Sequence, residues 1–174
     1  IWGGSNKSYD IPTSPAREIL GIRIPQNQLI VMLLAVIVIL ALHYLLQNTK
    51  IGKAMRAVAD NLDLARVSGI DVDRVVLWTW AIAGSLTALG GSMYGLITAV
   101  RPNMGWFLIL PMFAATILGG IGNPYGAIAA ALVIGVTQEL STPFLGSQYK
   151  QGVGLFIMIL VLLIRPKGLF KGTI

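Results

Sequence analysis

Two long runs without a formal charge constrain this chain more than any motif. Val75–Val100 holds no residue charged at neutral pH, and Arg101 and Pro102 close it. Leu29–Leu46, LIVMLLAVIVILALHYLL, is likewise uncharged. A bilayer core about 30 Å thick is crossed by about 20 apolar residues in helical form, and both runs satisfy that length. Trp106–Gly122, Tyr125–Gln138 and Gly152–Ile164 follow, also uncharged but shorter and flanked by Gly and Pro. A buried soluble core does not account for them. The chain is 55% hydrophobic and 11% charged, with a mean hydropathy of +0.76, whereas globular domains carry about 25% charged residues. Too little polar surface remains to cover such a core. The predicted fold is an all-α polytopic transmembrane bundle, a single membrane domain with about five spans.

Orientation follows from Lys and Arg near the span ends, which favour the cytoplasmic side. Gln47–Arg74 carries Lys50, Lys53, Arg56, Arg66 and Arg74, and the tail carries Arg165, Lys167 and Lys171. The connection after Val100 has only Arg101, and Ser141–Gln151 only Lys150. Five crossings put both basic regions inside and make residues 1–28, with Pro12, Pro15 and Pro25, an external loop. A re-entrant Trp106–Gln138 satisfies the charges equally, and both arrangements stay open. The chain begins at Ile1 without Met or signal peptide, as expected of the C-terminal part of a larger membrane protein entered within a loop. The net charge of +6 reads as a topology signal. Basic residues split among loops and interleaved with acids argue against nucleic acid.

Between the long runs lies Ile51–Ile70, IGKAMRAVADNLDLARVSGI. Met55, Val58, Ala59, Leu62 and Ala65 recur at helical spacing, while Lys53, Arg56, Asp60 and Asp63 share the other side. The spacing predicts one helix of about 15 residues, roughly 22 Å long at about 1.5 Å per residue. Gly69 suits the left-handed position after its last turn, and Asp71 or Asp73 can cap the helix that follows. Such a helix either lies on the membrane surface or docks a cytoplasmic protein. Asp60 and Asp63 weigh against anionic lipid.

TKIGKAMRAVADNLDLARVSGIDVDRV resembles the cytoplasmic loop of permease subunits in ABC importers of the branched-chain amino-acid family. The matching positions are Gly52, Lys53, Ala54, Arg56, Ala57, Asp60, Asn61, Ala65, Gly69 and Ile70. Arg101–Ala127 and Leu162–Phe170 also resemble that family. The resemblance implies a coupling segment seated in a groove on a separate cytoplasmic ATP-binding subunit, with Lys53, Arg56, Asp60, Asn61, Ala65, Gly69 and Ile70 as the coupling residues. It further implies a second permease subunit, a periplasmic substrate-binding protein, residence in a bacterial inner membrane, and a neutral or branched-chain amino acid as cargo. Urea or short-amide permeases of the same machinery, and an ATP-independent channel or secondary transporter, are the competing expectations.

No G-x-x-x-x-G-K-[ST] occurs, so no nucleotide loop is expected; Gly119–Pro124 reads as a tight turn or a broken helix within the membrane domain. Small residues at Gly91 and Gly95, and at Ala127, Ala131 and Gly135, suit close helix packing. Polar residues in the spans are the candidates for a solute path, chiefly Thr116, Thr137, Gln138 and Glu139. Glu139 is expected near the external interface. Single Ser and Thr hydroxyls ordinarily bond a carbonyl one turn back. Trp78, Trp80, Trp106 and Tyr149 fit interfacial belts. Without Cys, with one His and with no paired carboxylates in a span, neither catalysis nor a metal site is expected, and no cofactor is called for.

Overall fold

A computed structural model describes residues 17–19, 22–98, 100–164 and 168. Two units divide the chain, residues 1–102 and 103–174.

In the first unit a short antiparallel hairpin pairs β1 (Arg17–Ile19) with β2 (Ile22–Ile24), Arg17 opposite Ile24. The apolar run then forms α1 (Gln26–Asn48). Pro25, with φ −59°, sits at the boundary, and its carbonyl accepts the Gln28 N–H at 3.0 Å. The fixed proline φ and missing donor suit a helix start. Gln26–Gln28, within the range expected as loop, already belong to α1; residues 1–16, 20 and 21 lie outside the described ones. Next come α2 (Lys50–Asp60), α3 (Leu62–Val67) and α4 (Val72–Ile97).

The second unit holds α5 (Met104–Gly119), α6 (Pro124–Leu145), a 3-10 turn over Ser147–Tyr149, and α7 (Lys150–Ile164). Its core is Ala114, Ala115, Leu118, Ala130 and Ile134, packed by Ile157, Met158 and Val161. The glycine-rich segment is a tight turn: Gly120 and Gly122 take φ of 95° and 91°, and Asn Oδ1 of residue 123 accepts the Gly126 N–H at 3.0 Å. Gly119 has no room for a Cβ, which would overlap the Gly126 backbone. A Cβ on Gly168 would fall 2.8 Å from the Gly120 nitrogen and the Ile117 carbonyl oxygen. That residue beyond α7 thus reaches the α5–α6 turn, while the start of α7 meets the start of α5 through Gln151 and Phe107. Accordingly α5 and α7 run in one direction and α6 in the other.

Among the described residues, four helical segments are long and apolar enough to cross a membrane: Gln26–Asn48, Val72–Ile97, Pro124–Leu145 and Ser147–Ile164. The fifth run forms α5, whose 16 residues extend about 24 Å at about 1.5 Å per residue, short of a core of about 30 Å. Two of the late runs are longer than their apolar stretches suggested. α6 continues past Gln138 because Ser141 and Thr142 turn their hydroxyls onto the Gln138 carbonyl, at 2.8 and 3.1 Å, and so remain compatible with helix. The basic tail residues Arg165, Lys167 and Lys171 lie outside the described residues.

The small-residue stripe of α6 is offset from expectation. Gly126, Ala130, Ile134 and Gln138 are buried, whereas Ala131 and Gly135 are exposed. Of the other pair, Gly95 is buried, but a Cβ on Gly91 would meet nothing within 4 Å.

Candidate functional site

The loop between α1 and α4 is built by caps. Thr49 ends α1 and begins α2: its hydroxyl donates to the Leu45 carbonyl at 2.5 Å and accepts the Gly52 N–H at 3.0 Å. One side chain thereby serves an orphan acceptor and an orphan donor at two helix ends. Gly52 lies directly on α1, where a Cβ would overlap the Leu45 carbonyl oxygen. Arg56 Nη1 donates to Gln47 Oε1 at 3.2 Å, a second tie from α2 to α1.

The single helix expected over this loop is broken. Asn61 adopts φ −157° and ψ 107° between α2 and α3, and its Oδ1 accepts the Leu64 N–H at 2.9 Å. Asn competes well as an N-cap and poorly inside a helix, so the chain restarts there. The break rotates the apolar face. Met55 and Val58 stay half-buried and Ala65 is buried, but Ala59 is exposed, and Leu62 is 44%, Leu64 64% and Val67 87% exposed. Lys53, Arg56, Asp60 and Asp63 are exposed, as expected.

Gly69 ends α3 as expected, with φ 82°. Its N–H donates to the Arg66 carbonyl and the Ile70 N–H to the Ala65 carbonyl, both at 3.0 Å. This paired arrangement is the Schellman motif. Asp71, rather than Asp73, caps α4, its Oδ1 accepting the Arg74 N–H at 3.1 Å. Of the residues assigned to coupling, Arg56 faces α1, Asn61, Ala65, Gly69 and Ile70 shape the turn, and Lys53 and Asp60 are outward.

In the second unit, Thr116 and Thr137 donate to the Met112 and Val133 carbonyls at 2.9 and 2.7 Å. Both do what isolated hydroxyls do in apolar helices. Gln138 differs: it is 9% exposed, and its Nε2 is buried without a hydrogen-bond partner. Glu139 is exposed and ion-paired with Lys150 across α6 and α7. The four residues therefore separate into two hydroxyls that donate within their own helices and a polar pair, Gln138 and Glu139, where α6 meets α7.

Sequence reasoning missed the joints. Thr49 and Gln151 are not marked by the sequence pattern, and Gly52 enters there only as a position of the family's loop, not as a contact with α1. Thr49 had a signal, a hydroxyl residue just ahead of a helix start. So did Gln151's partner, since Pro111 stands four residues after Phe107.

Helices of this length and polarity, two of them joined by a capped charged loop, define a multi-pass membrane protein. The chain belongs to the family described as branched-chain amino acid transport system, permease component, whose model matches residues 1–162. It is similar to the high-affinity branched-chain amino acid transport system permease protein LivH of Salmonella typhimurium, 34% identical over 143 residues, covering 82% of this chain and 46% of that one. The probable LivH of Methanocaldococcus jannaschii is 34% identical over 141 residues, 77% of this chain and 45% of that one. BraD of Pseudomonas aeruginosa, a high-affinity branched-chain amino acid transport system permease protein, is 30% identical over 150 residues, 86% and 49%. The chain spans about half the length of these curated relatives. No solved structure matches it significantly.

Proposed function

We propose that this chain is the membrane-spanning part of an ATP-driven importer for neutral or branched-chain amino acids in a bacterial inner membrane. The observation that carries the reading is the capped loop Thr49–Asp71. It is charged, lies between two helices long enough to span, and is tied to the first of them at Thr49, Gly52 and Arg56. A loop so anchored transmits a push on its outer surface to α1, which a freely hinged loop does not. The pusher is a separate cytoplasmic ATP-binding subunit, with the exposed Leu64, Val67, Lys53 and Asp60 at the contact and Arg56 as the link to α1. The family supports this partner, a second permease subunit and a periplasmic binding protein that delivers the solute. In this reading the loop over residues 47–74 is cytoplasmic, and the turn between α6 and α7 is external.

Affinity purification of the transporter from its native membrane, with mass spectrometry of the co-purifying chains, tests it. An ATP-binding subunit is expected to co-purify, and to be lost when Leu64 and Val67 are both replaced by Asp. Full retention of the subunit by that variant contradicts the docking surface.

A further inference from the structure

We propose that the external end of the α6–α7 seam is a recognition site for a zwitterionic α-amino acid, formed by Lys150, Glu139 and the Gln138 amide. It rests on the amino-acid cargo proposed above and adds where, and with which groups, the solute is read.

Three observations converge. Gln138 lies in the seam with Nε2 buried and unpartnered, against a notch left by Gly154, where a Cβ would fall 2.5 Å from that nitrogen. Buried amides without partners are rare, and each calls for a specific explanation. Beside it, Glu139 and Lys150 form an ion pair whose side chains are 71% and 40% exposed. Exposed ion pairs add little to stability, and the packing of this unit rests on Leu118, Ile134 and their apolar neighbours. The pair therefore adds little to the packing of this unit. Finally, Pro143 stands four residues after Glu139 inside α6 and removes the N–H that would serve the Glu139 carbonyl in a regular helix.

The chemistry is complementary to one solute class. An α-amino acid carries a carboxylate and an ammonium a few ångströms apart. Lys150 and the Gln138 N–H offer positive ends to the carboxylate. The Glu139 carboxylate, with the backbone carbonyl on the same turn, offers acceptors to the ammonium. Lys150 and Gly154 are one turn apart on α7, and Gln138 and Glu139 are adjacent on α6, so these groups line one end of one seam. An ionisable residue within a membrane-spanning helix, as Glu139 is within Pro124–Leu145, is by default a functional-site candidate. A solute that exchanges the Glu139–Lys150 contact for its own two charges opens this end and uncovers the Gln138 amide, which fixes the orientation of binding.

The test uses the assembled transporter carrying Ser147→Cys, beside Lys150, with any other cysteines replaced. The readout is the rate of maleimide labelling. Free leucine is expected to slow labelling about tenfold, whereas leucinol, without the carboxylate, and isovalerate, without the amine, do not. Protection is expected to vanish in Glu139→Gln and in Lys150→Met, and Gln138→Leu to raise the half-protecting concentration about tenfold. The charge-swapped pair, Glu139→Lys with Lys150→Glu, is expected to leave protection absent, since the amide orients the solute. Labelling indifferent to leucine, equal protection by leucinol, or full recovery in the swapped pair overturns the proposal and leaves an ordinary ion pair. Protection given only by the binding protein overturns it in favour of a protein contact. A parent transporter without ATP-driven amino-acid uptake refutes the proposed function, and this site with it. Uptake that persists beside indifferent labelling refutes the site alone.

Discussion

Gln151 Nε2 donates to the Phe107 carbonyl at 3.1 Å, the carbonyl that Pro111, four residues on within α5, leaves without a helical donor. A side chain from α7 thus repairs a gap made by a proline in α5. Prolines persist in membrane helices where a neighbouring helix satisfies the freed group.

Because the two residues share one acceptor, their substitutions are expected to couple. Gln151→Leu should destabilise the unit by about 1 kcal/mol, the scale of an interhelical hydrogen bond in a membrane. In a Pro111→Ala background the carbonyl regains its own donor, and the same change should cost clearly less. A double-mutant cycle on the purified protein, read by denaturant unfolding, measures the coupling. Strict additivity would show that the two sites are independent.

Asn61 breaks the loop helix and caps the second half. Asn61→Ala removes the cap, worth about 1 kcal/mol, and lets α2 run on into α3, turning Leu64 and Val67 to new directions. ATP-driven uptake should fall severalfold at unchanged membrane level, while Asn61→Asp, which caps equally well, should retain it. Equal uptake by all three proteins would remove the break from the mechanism.

At Gly69 the constraint is backbone alone. Its φ is 82°, yet a Cβ would meet nothing within 4 Å. A left-handed residue with a side chain costs about 1–2 kcal/mol, least for Asn. Gly69→Asn should therefore transport nearly normally and Gly69→Val poorly, both reaching the membrane. If Asn and Val are equally harmful, the defect is one of side-chain volume at the docking surface, and the φ argument is wrong.

Gly52 presents the opposite case, a position limited by space. Any side chain there would overlap the Leu45 carbonyl and lift α2 from α1. Gly52→Val should leave the ATP-binding subunit attached but uncouple it, so that ATP hydrolysis continues while uptake drops at least about tenfold. Hydrolysis and uptake falling together would place Gly52 in docking instead of transmission.

Which features were legible from sequence follows from what each one depends on. The spans were visible because absence of charge over Leu29–Leu46 and Val75–Val100 is a local property set by lipid. Gly69 was visible, and the cap of α4 was narrowed to Asp71 or Asp73, because left-handed backbone and helix caps are local as well. The division of the loop at Asn61 was not foreseen, since Met55 to Ala65 keep a helical rhythm and a cap residue is tolerated mid-helix until packing decides. The burial of Gln138 and the Gln151–Phe107 bond were hidden for another reason: each depends on the neighbour that α6 and α7 bring across a helix pair. Thr116 and Thr137, chosen as path residues for their polarity, turned out to be bonded within their own helix.

The central claim is that ATP drives solute through this chain by way of the α2–α3 loop. Proteoliposomes holding the assembled transporter, with binding protein and labelled leucine on the outside and ATP within, test it most directly. The account predicts uptake that requires ATP, withstands an uncoupler, and is abolished when Leu64 and Val67 are both replaced by Asp. Uptake that proceeds without ATP and collapses with the uncoupler would contradict it, and would make the protein an ion-coupled carrier.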